Sequence, residues 1–180
     1  MTSDADRTRL LQIARRAILA HVRREAAVAA TLDDDASGRR GGAFVTVHIK
    51  GDLRGCIGRL DVDEPVAVTV ARCAVSACSA DLRFRPVTVA ELTFLVIEVS
   101  LLGALEPIAG PDDIHVGRHG VLVEQGRQRG LLLPQVATEW RWDRFEFLAQ
   151  TCRKAGLPRD GWKEGAQLWR FEAEVFSEPT

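Results

Sequence analysis

Tyrosine is absent from these 180 residues, so no phenol is available as acid, base or nucleophile. There is no Walker loop, no G-x-G-x-x-G after a strand and no G-x-S-x-G elbow; nucleotide-driven and serine-hydrolase chemistry therefore have no motif behind them. The four cysteines, Cys56, Cys73, Cys78 and Cys152, contain no C-x-x-C pair. A chain of this size holds a core without bridges, so they read as thiols rather than disulfides. No apolar run is long enough to span a bilayer, and "MTSDADRTRL" lacks the hydrophobic stretch of a secretory signal, which predicts a cytoplasmic protein with no membrane association. Strong net charge is missing too: the formal value is −1 and the pI about 6.4. Any basic site must therefore be local rather than a global attraction to nucleic acid.

What is present is a chain 46% hydrophobic, enough for one compact domain or two joined lobes. From Asp6 to Ala30, Leu11, Ala14, Ile18 and Val22 follow helical spacing with arginines opposite, predicting an amphipathic packing helix (6–30), with His21 as a boundary residue. "TLDDDASGRRGG" predicts a mobile loop (31–42). "AFVTVHI" and "LRGCIG" read as a hairpin about Lys50 to Asp52. Pro65 opens a helix to Ala80 whose only polar side chains, Thr69, Arg72, Ser76 and Ser79, form one narrow stripe. The rest of that helix should be buried, with Cys73 and Cys78 as small core residues. "TFLVIEVSLL" is a strand too apolar for the surface.

The second half repeats this order. "IHVGRHGVLVEQ" and "RGLLLP" predict a hairpin, Trp142 to Ala155 a helix, and "AQLWRFEAEVF" a strand. Gly51, Arg54 and Gly55 match Gly126, Arg129 and Gly130, and the Glu-Val of "IEVS" matches that of "AEVF". The expectation is a single α+β domain, duplicated as hairpin-helix-strand over about 43–103 and 104–178, with mixed or antiparallel sheets.

Within "LRGCIG", alternation places Arg54, Cys56 and Gly58 on one face and Leu53, Gly55 and Ile57 on the other. The thiol then shares a face with a guanidinium that favours its thiolate. Gly55 and Gly58 weaken a strand and are tolerated where a backbone or ligand approaches closely. Cys56 corresponds to Leu131 in the other copy, so sulfur is the specialised addition; equally, buried cysteine behaves as a small hydrophobe. His119 in "GRHG" is the candidate base, against the reading of a solvent-facing turn residue. His48 stands in the partner strand of Cys56. His115 and His119 have helical metal-pair spacing, but Gly117 and Gly120 argue against a helix, so no metal site is expected. Glu98, amid apolar residues, is expected to pair with an arginine. Asp81 with Arg83, and Gln135 after Pro134, complete the ligand-binding candidates.

"FVT", "LRGCIG", "DLRF" with its proline, "EVS", "G-x-H-G", "LLLPQV" and "KAGLP" stand in order between Phe44 and Trp162, and together they resemble the AMMECR-one domain family. The resemblance implies a duplicated α+β fold and the A component of the AmmeMemoRadiSam set, beside a Memo-type protein similar to extradiol dioxygenases and a radical S-adenosylmethionine protein. Arg54, Gly55, Cys56, Gly58, Asp81, Arg83, Phe84, His119, Pro134 and Gln135 occupy matching motif positions. No cofactor of its own is implied. Three functions follow as expectations: a nucleophilic Cys56 assisted by Arg54 and His119; a non-catalytic module whose Arg54, Arg59, Arg83 and Arg129 hold a phosphate-bearing ligand, RNA or modified nucleotide; or an accessory subunit of the Memo-type and radical proteins.

Overall fold

The computed structural model describes residues 2–26, 39–60 and 63–179. The chain divides into two compact units, Met1–Leu102 with Glu174–Thr180, and Gly103–Ala173. Both are built from helices and antiparallel strands, giving an α+β fold in which hairpin, helix and strand follow one another in each half.

The first unit opens with α1 (Asp4–Arg23), capped by the Ser3 hydroxyl, which accepts from the Asp6 N–H. Helical periodicity predicts continuation to Ala30, but Arg24 turns left-handed (φ 58°) and its N–H closes onto Ala20 and His21 carbonyls, ending the helix there. Most of the loop expected over 31–42 lies outside the described residues. Strands β1 (Ala43–Ile49) and β2 (Asp52–Arg59) form the expected hairpin. Helix α2 (Val66–Ser79) follows, then a 3₁₀ turn over Val89–Phe94 and β3 (Leu95–Leu102). Strand β1 is central, pairing antiparallel with both β2 and β3. Its buried Ala43, Val45 and Val47, with Leu95, Ile97, Val99 and Leu101 of β3, form a core with α1 and α2. Cys73 and Cys78 lie in that core as expected. Thr69 departs from the expected polar stripe: it is fully buried, and its hydroxyl donates to Glu64 Oε1 at 3.3 Å.

In the second unit a two-residue strand, β4 (Glu106–Pro107), pairs with β7 (Gln167–Ser177). Strand β5 begins at His119 rather than Ile114, because the His115 carbonyl accepts from the N–H groups of Arg118 and His119 and closes a turn. Strands β5 (His119–Gln125) and β6 (Gln128–Leu132) form the hairpin, and β5 also pairs with β7. A short helix absent from the sequence reading, α3 (Pro134–Glu139), starts at the proline expected to end the hairpin. Helix α4 (Arg144–Lys154) begins after Asp143, whose carboxylate accepts from the Glu146 N–H at 2.8 Å. Val121, Val123, Phe147, Leu148 and Cys152 are its core.

One packing device occurs in both units. A Cβ placed on Gly55 of β2 would lie 2.0 Å from the Ala77 carbonyl oxygen of α2, and one on Gly130 of β6 would lie 2.3 Å from the Ala155 nitrogen just beyond α4. Each second hairpin strand therefore rests directly on backbone at the end of a later helix of its own unit, α2 or α4, where only hydrogen fits. The register corrects one expected correspondence. Val47 opposes both Gly55 and Ile97, while Val123 opposes both Gly130 and Leu168. Glu98 thus matches Trp169 by position, not Glu174.

Candidate functional site

Whether Cys56 faces the core or the opposite side depends on one residue. A tight turn at Lys50 (φ 53°) and Gly51 (φ 88°) pairs Ile49 with Asp52 and His48 with Leu53. Continued without interruption, that register would set Cys56 against Val45 on the core face. Instead Val47 pairs with Gly55, and Arg54 is the extra residue of a β-bulge. Beyond it, Gly55 and Ile57 oppose Val47 and Val45, whereas Cys56 opposes Thr46. The expected sharing of a face by Arg54 and Cys56 is lost, and His48 opposes Leu53 rather than the cysteine.

Arg54 serves another purpose. Its guanidinium donates to both Glu91 carboxylate oxygens, at 2.8 and 3.3 Å, and to the carbonyls of Arg85 and Pro86. Glu91 in turn caps the 3₁₀ turn by accepting from the Thr88 N–H and hydroxyl. Arg54 first, then these Thr88 bonds, hold the Glu91 carboxyl down at about 2.

The arginine at Cys56 is Arg83. Its guanidinium donates to both Asp81 oxygens, at 3.0 and 2.7 Å, and to the Cys56 carbonyl at 3.4 Å. The same Asp81 accepts from the Cys56 N–H at 2.9 Å and the Arg83 N–H at 3.1 Å. Because β2 is an edge strand among the described residues, the outward N–H and C=O of Cys56 face no described strand, and this pair takes the place of one. Outward backbone groups also identify Cys56 and Thr46 as a non-hydrogen-bonded pair, the type with closer side chains. The Thr46 hydroxyl lies 3.3 Å from Cys56 Sγ. Arg83 is held protonated above its ordinary range chiefly by Asp81, with a Cys56 thiolate acting in the same sense.

Asp81 is buried, and its bonds to Arg83 and then to the Cys56 N–H bring its carboxyl from 3.8 down to about 2. A depressed carboxyl contributes stability that is complete above its unfolded value and is lost as pH falls through the folded one. Asp81→Asn should therefore cost about 2 kcal/mol at neutral pH. Urea denaturation should show the deficit shrinking as pH falls from about 4 toward 2. A deficit independent of pH over that range would show that the charge is not what binds the strand edge.

Thr46 also opposes Glu98, so Cys56, Thr46 and the half-buried Glu98 form a row across three strands on the face away from the core. Ser100, two residues beyond Glu98, is 1% exposed, and among the described residues its hydroxyl has no hydrogen-bond partner. Gly58 lies over the Phe44 ring, where an added Cβ would come within 2.3 Å. Sequence reasoning missed Thr46 because its place depends on the bulge.

The remaining candidates, His119 and Gln135, belong to the second unit. His119 is 5% exposed, and its Nδ1 accepts the His115 N–H at 3.1 Å. Burial, then the charge of Arg170, keeps its pKa below the ordinary range. With Nδ1 engaged as acceptor, the neutral ring carries its proton on Nε2 and presents a donor, not a base. This corrects the reading of His119 as a solvent-facing turn residue. Gln135 stands in the first turn of α3, with a buried amide oxygen that has no partner among the described residues.

No cluster of three or more metal-ligating side chains occurs among the described residues, and no described helix is long and apolar enough to cross a membrane. The four arginines of the anion-binding expectation are all engaged by carboxylates: Arg54 by Glu91, Arg59 by Glu64, Arg83 by Asp81 and Arg129 by Glu124.

Comparison with known proteins extends the resemblance across the chain. The model of the family described as AMMECR1 matches residues 11–176. A protein of Methanothermobacter thermautotrophicus is 44% identical over 186 residues, covering 99% of this chain and 96% of its own. One from Thermococcus onnurineus is 47% identical over 148 residues, 76% of this chain and 72% of its own. The crystal structure of the uncharacterized protein PH0010 from Pyrococcus horikoshii superposes with a TM-score of 0.87 at 40% identity, covering 94% of this chain and 89% of that one.

Proposed function

Because this chain belongs to the AMMECR1 family, we propose that it is the cytoplasmic A component of an AmmeMemoRadiSam-type system and that Cys56 is its nucleophile. One observation carries the reading. Of the four thiols, Cys73, Cys78 and Cys152 are buried in the two cores, while Cys56 is partly exposed, on a polar face and fixed by its own backbone. Asp81 and Arg83 hold its N–H and C=O, and Thr46 meets its sulfur. A nucleophile held this way loses little freedom on reaching an electrophilic centre. Arg83 favours the thiolate, a role the sequence suggested for Arg54, and the Cys56 sulfur adds to an electrophilic unsaturated carbon of the bound substrate, the π bond opening and taking up the thiol's proton, so that a covalent adduct forms without a leaving group. The Memo-type and radical S-adenosylmethionine proteins are the partners that supply or consume this substrate.

The test is co-expression with those two proteins, followed by peptide mass spectrometry of the isolated chain. Both wild type and Cys56→Ser should co-purify with the partners, and only wild type should carry added mass on the Cys56 peptide. An unmodified Cys56 in a chain isolated with its partners overturns the nucleophile, and the absence of any complex overturns the system.

A further inference from the structure

Half of the large hydrophobic side chains exposed among the described residues lie on β2 or the segment that runs beside it: Leu53 (40%), Leu82 (101%), Val89 (60%) and Phe94 (52%). Scattered exposed leucines are ordinary. These four differ because the segment from Asp81 to Phe94 is fixed at several points although most of it is neither strand nor α-helix. Asp81 and Arg83 bind it to Cys56, and Arg54 binds the Arg85 and Pro86 carbonyls and Glu91. The Val87 N–H donates to the Cys78 carbonyl at 2.8 Å while the Val87 side chain enters the core. Leu82 itself sits at the tip of a turn closed by the Phe84 N–H on the Asp81 carbonyl. A wholly exposed leucine is thus held rigidly between two residues that grip the cysteine.

The charge on this surface is sorted as well. Its carboxylates Asp81 and Glu91 are committed to Arg83 and Arg54. Among the described residues, Lys50, with its ammonium 5.1 Å from the centre of the Phe94 ring, and the exposed Arg85 remain, against Asp52. Apolar projections on a rigid frame lose little entropy on binding, and the residual positive charge selects a negative partner.

We infer that the Asp81–Phe94 segment, with Leu82 as its anchor, is a docking surface for a protein partner that presents apolar residues flanked by carboxylates. The inference concerns binding rather than chemistry, and it is tested in Cys56→Ser protein so that its failure and that of the nucleophile are separable. A phage-displayed library of random peptides, panned on Cys56→Ser, should enrich sequences with Leu, Phe or Trp beside Asp or Glu. Leu82→Asp and Arg85→Glu should each weaken the enriched peptides about 10-fold or more. Leu82 makes no core contact, so thermal unfolding should not change with Leu82→Asp. No enrichment, or peptides that bind Leu82→Asp equally well, overturns the inference. So does self-association of the chain that Leu82→Asp abolishes, because a second copy would then be the occupant.

Discussion

Gly55→Ala is expected to destabilise the protein by about 4 kcal/mol or more, beyond the usual cost of overpacking. The added methyl would lie 2.0 Å from the Ala77 carbonyl oxygen. That oxygen belongs to the last turn of a buried helix, and Gly55 to a strand paired along its length with the buried strand β1. A flexible side chain could swing aside, but here two backbones are in contact, so the strand must lift from the helix or the helix must shift. Either movement also disturbs the bulge at Arg54 and with it the position of Cys56. Chemical denaturation of purified protein measures the cost. Gly110→Ala is the control, with no heavy atom within 4 Å of its added Cβ and an extended φ of 177°, and should be nearly neutral. A Gly55→Ala cost below about 1 kcal/mol would show that β2 is not seated on α2 as described.

The second large effect is chemical. Iodoacetamide at about pH 8 should modify Cys56 at least ~100-fold faster than Cys73 or Cys78. Burial pushes those two thiols up to about 11 and leaves them 1% and 2% exposed. At that pH only about one molecule in a thousand carries such a thiolate, and reagent reaches it only through local opening. Cys152, fully buried with its pKa also raised by burial, should be as slow. Peptide mass spectrometry against time resolves the four sites. Equal protection of all four would reduce the Cys56 sulfur to packing and leave the exposed Leu82 surface as the remaining functional feature.

Much of the architecture was legible because it depends on local pattern. Apolar spacing marked α1 and α2, β-branched residues marked β3, and glycine and lysine marked the first turn. Element ends were less legible. Nothing in the helical pattern signals that Arg24 turns left-handed, or that the His115 carbonyl closes a turn before β5. Among the site candidates, Cys56, Asp81 and Arg83 were marked by residue type and motif, and the structure joins all three. Arg54 and His119 were marked as well, but for roles their hydrogen bonds do not support.

By itself the sequence determined a two-part α+β chain with two buried cysteines on the helix after the first hairpin and a cysteine between glycines on that hairpin. Only the tertiary structure decided where that last cysteine points. Strand side chains alternate with a period of two, so a shift of one residue moves every following side chain to the other face. Gly55 must meet the Ala77 carbonyl for β2 to seat on α2, and that long-range contact goes with the extra residue at Arg54. The bulge turns Cys56 away from the core to Thr46 and exposes its backbone to Asp81 and Arg83, residues more than twenty positions along the chain.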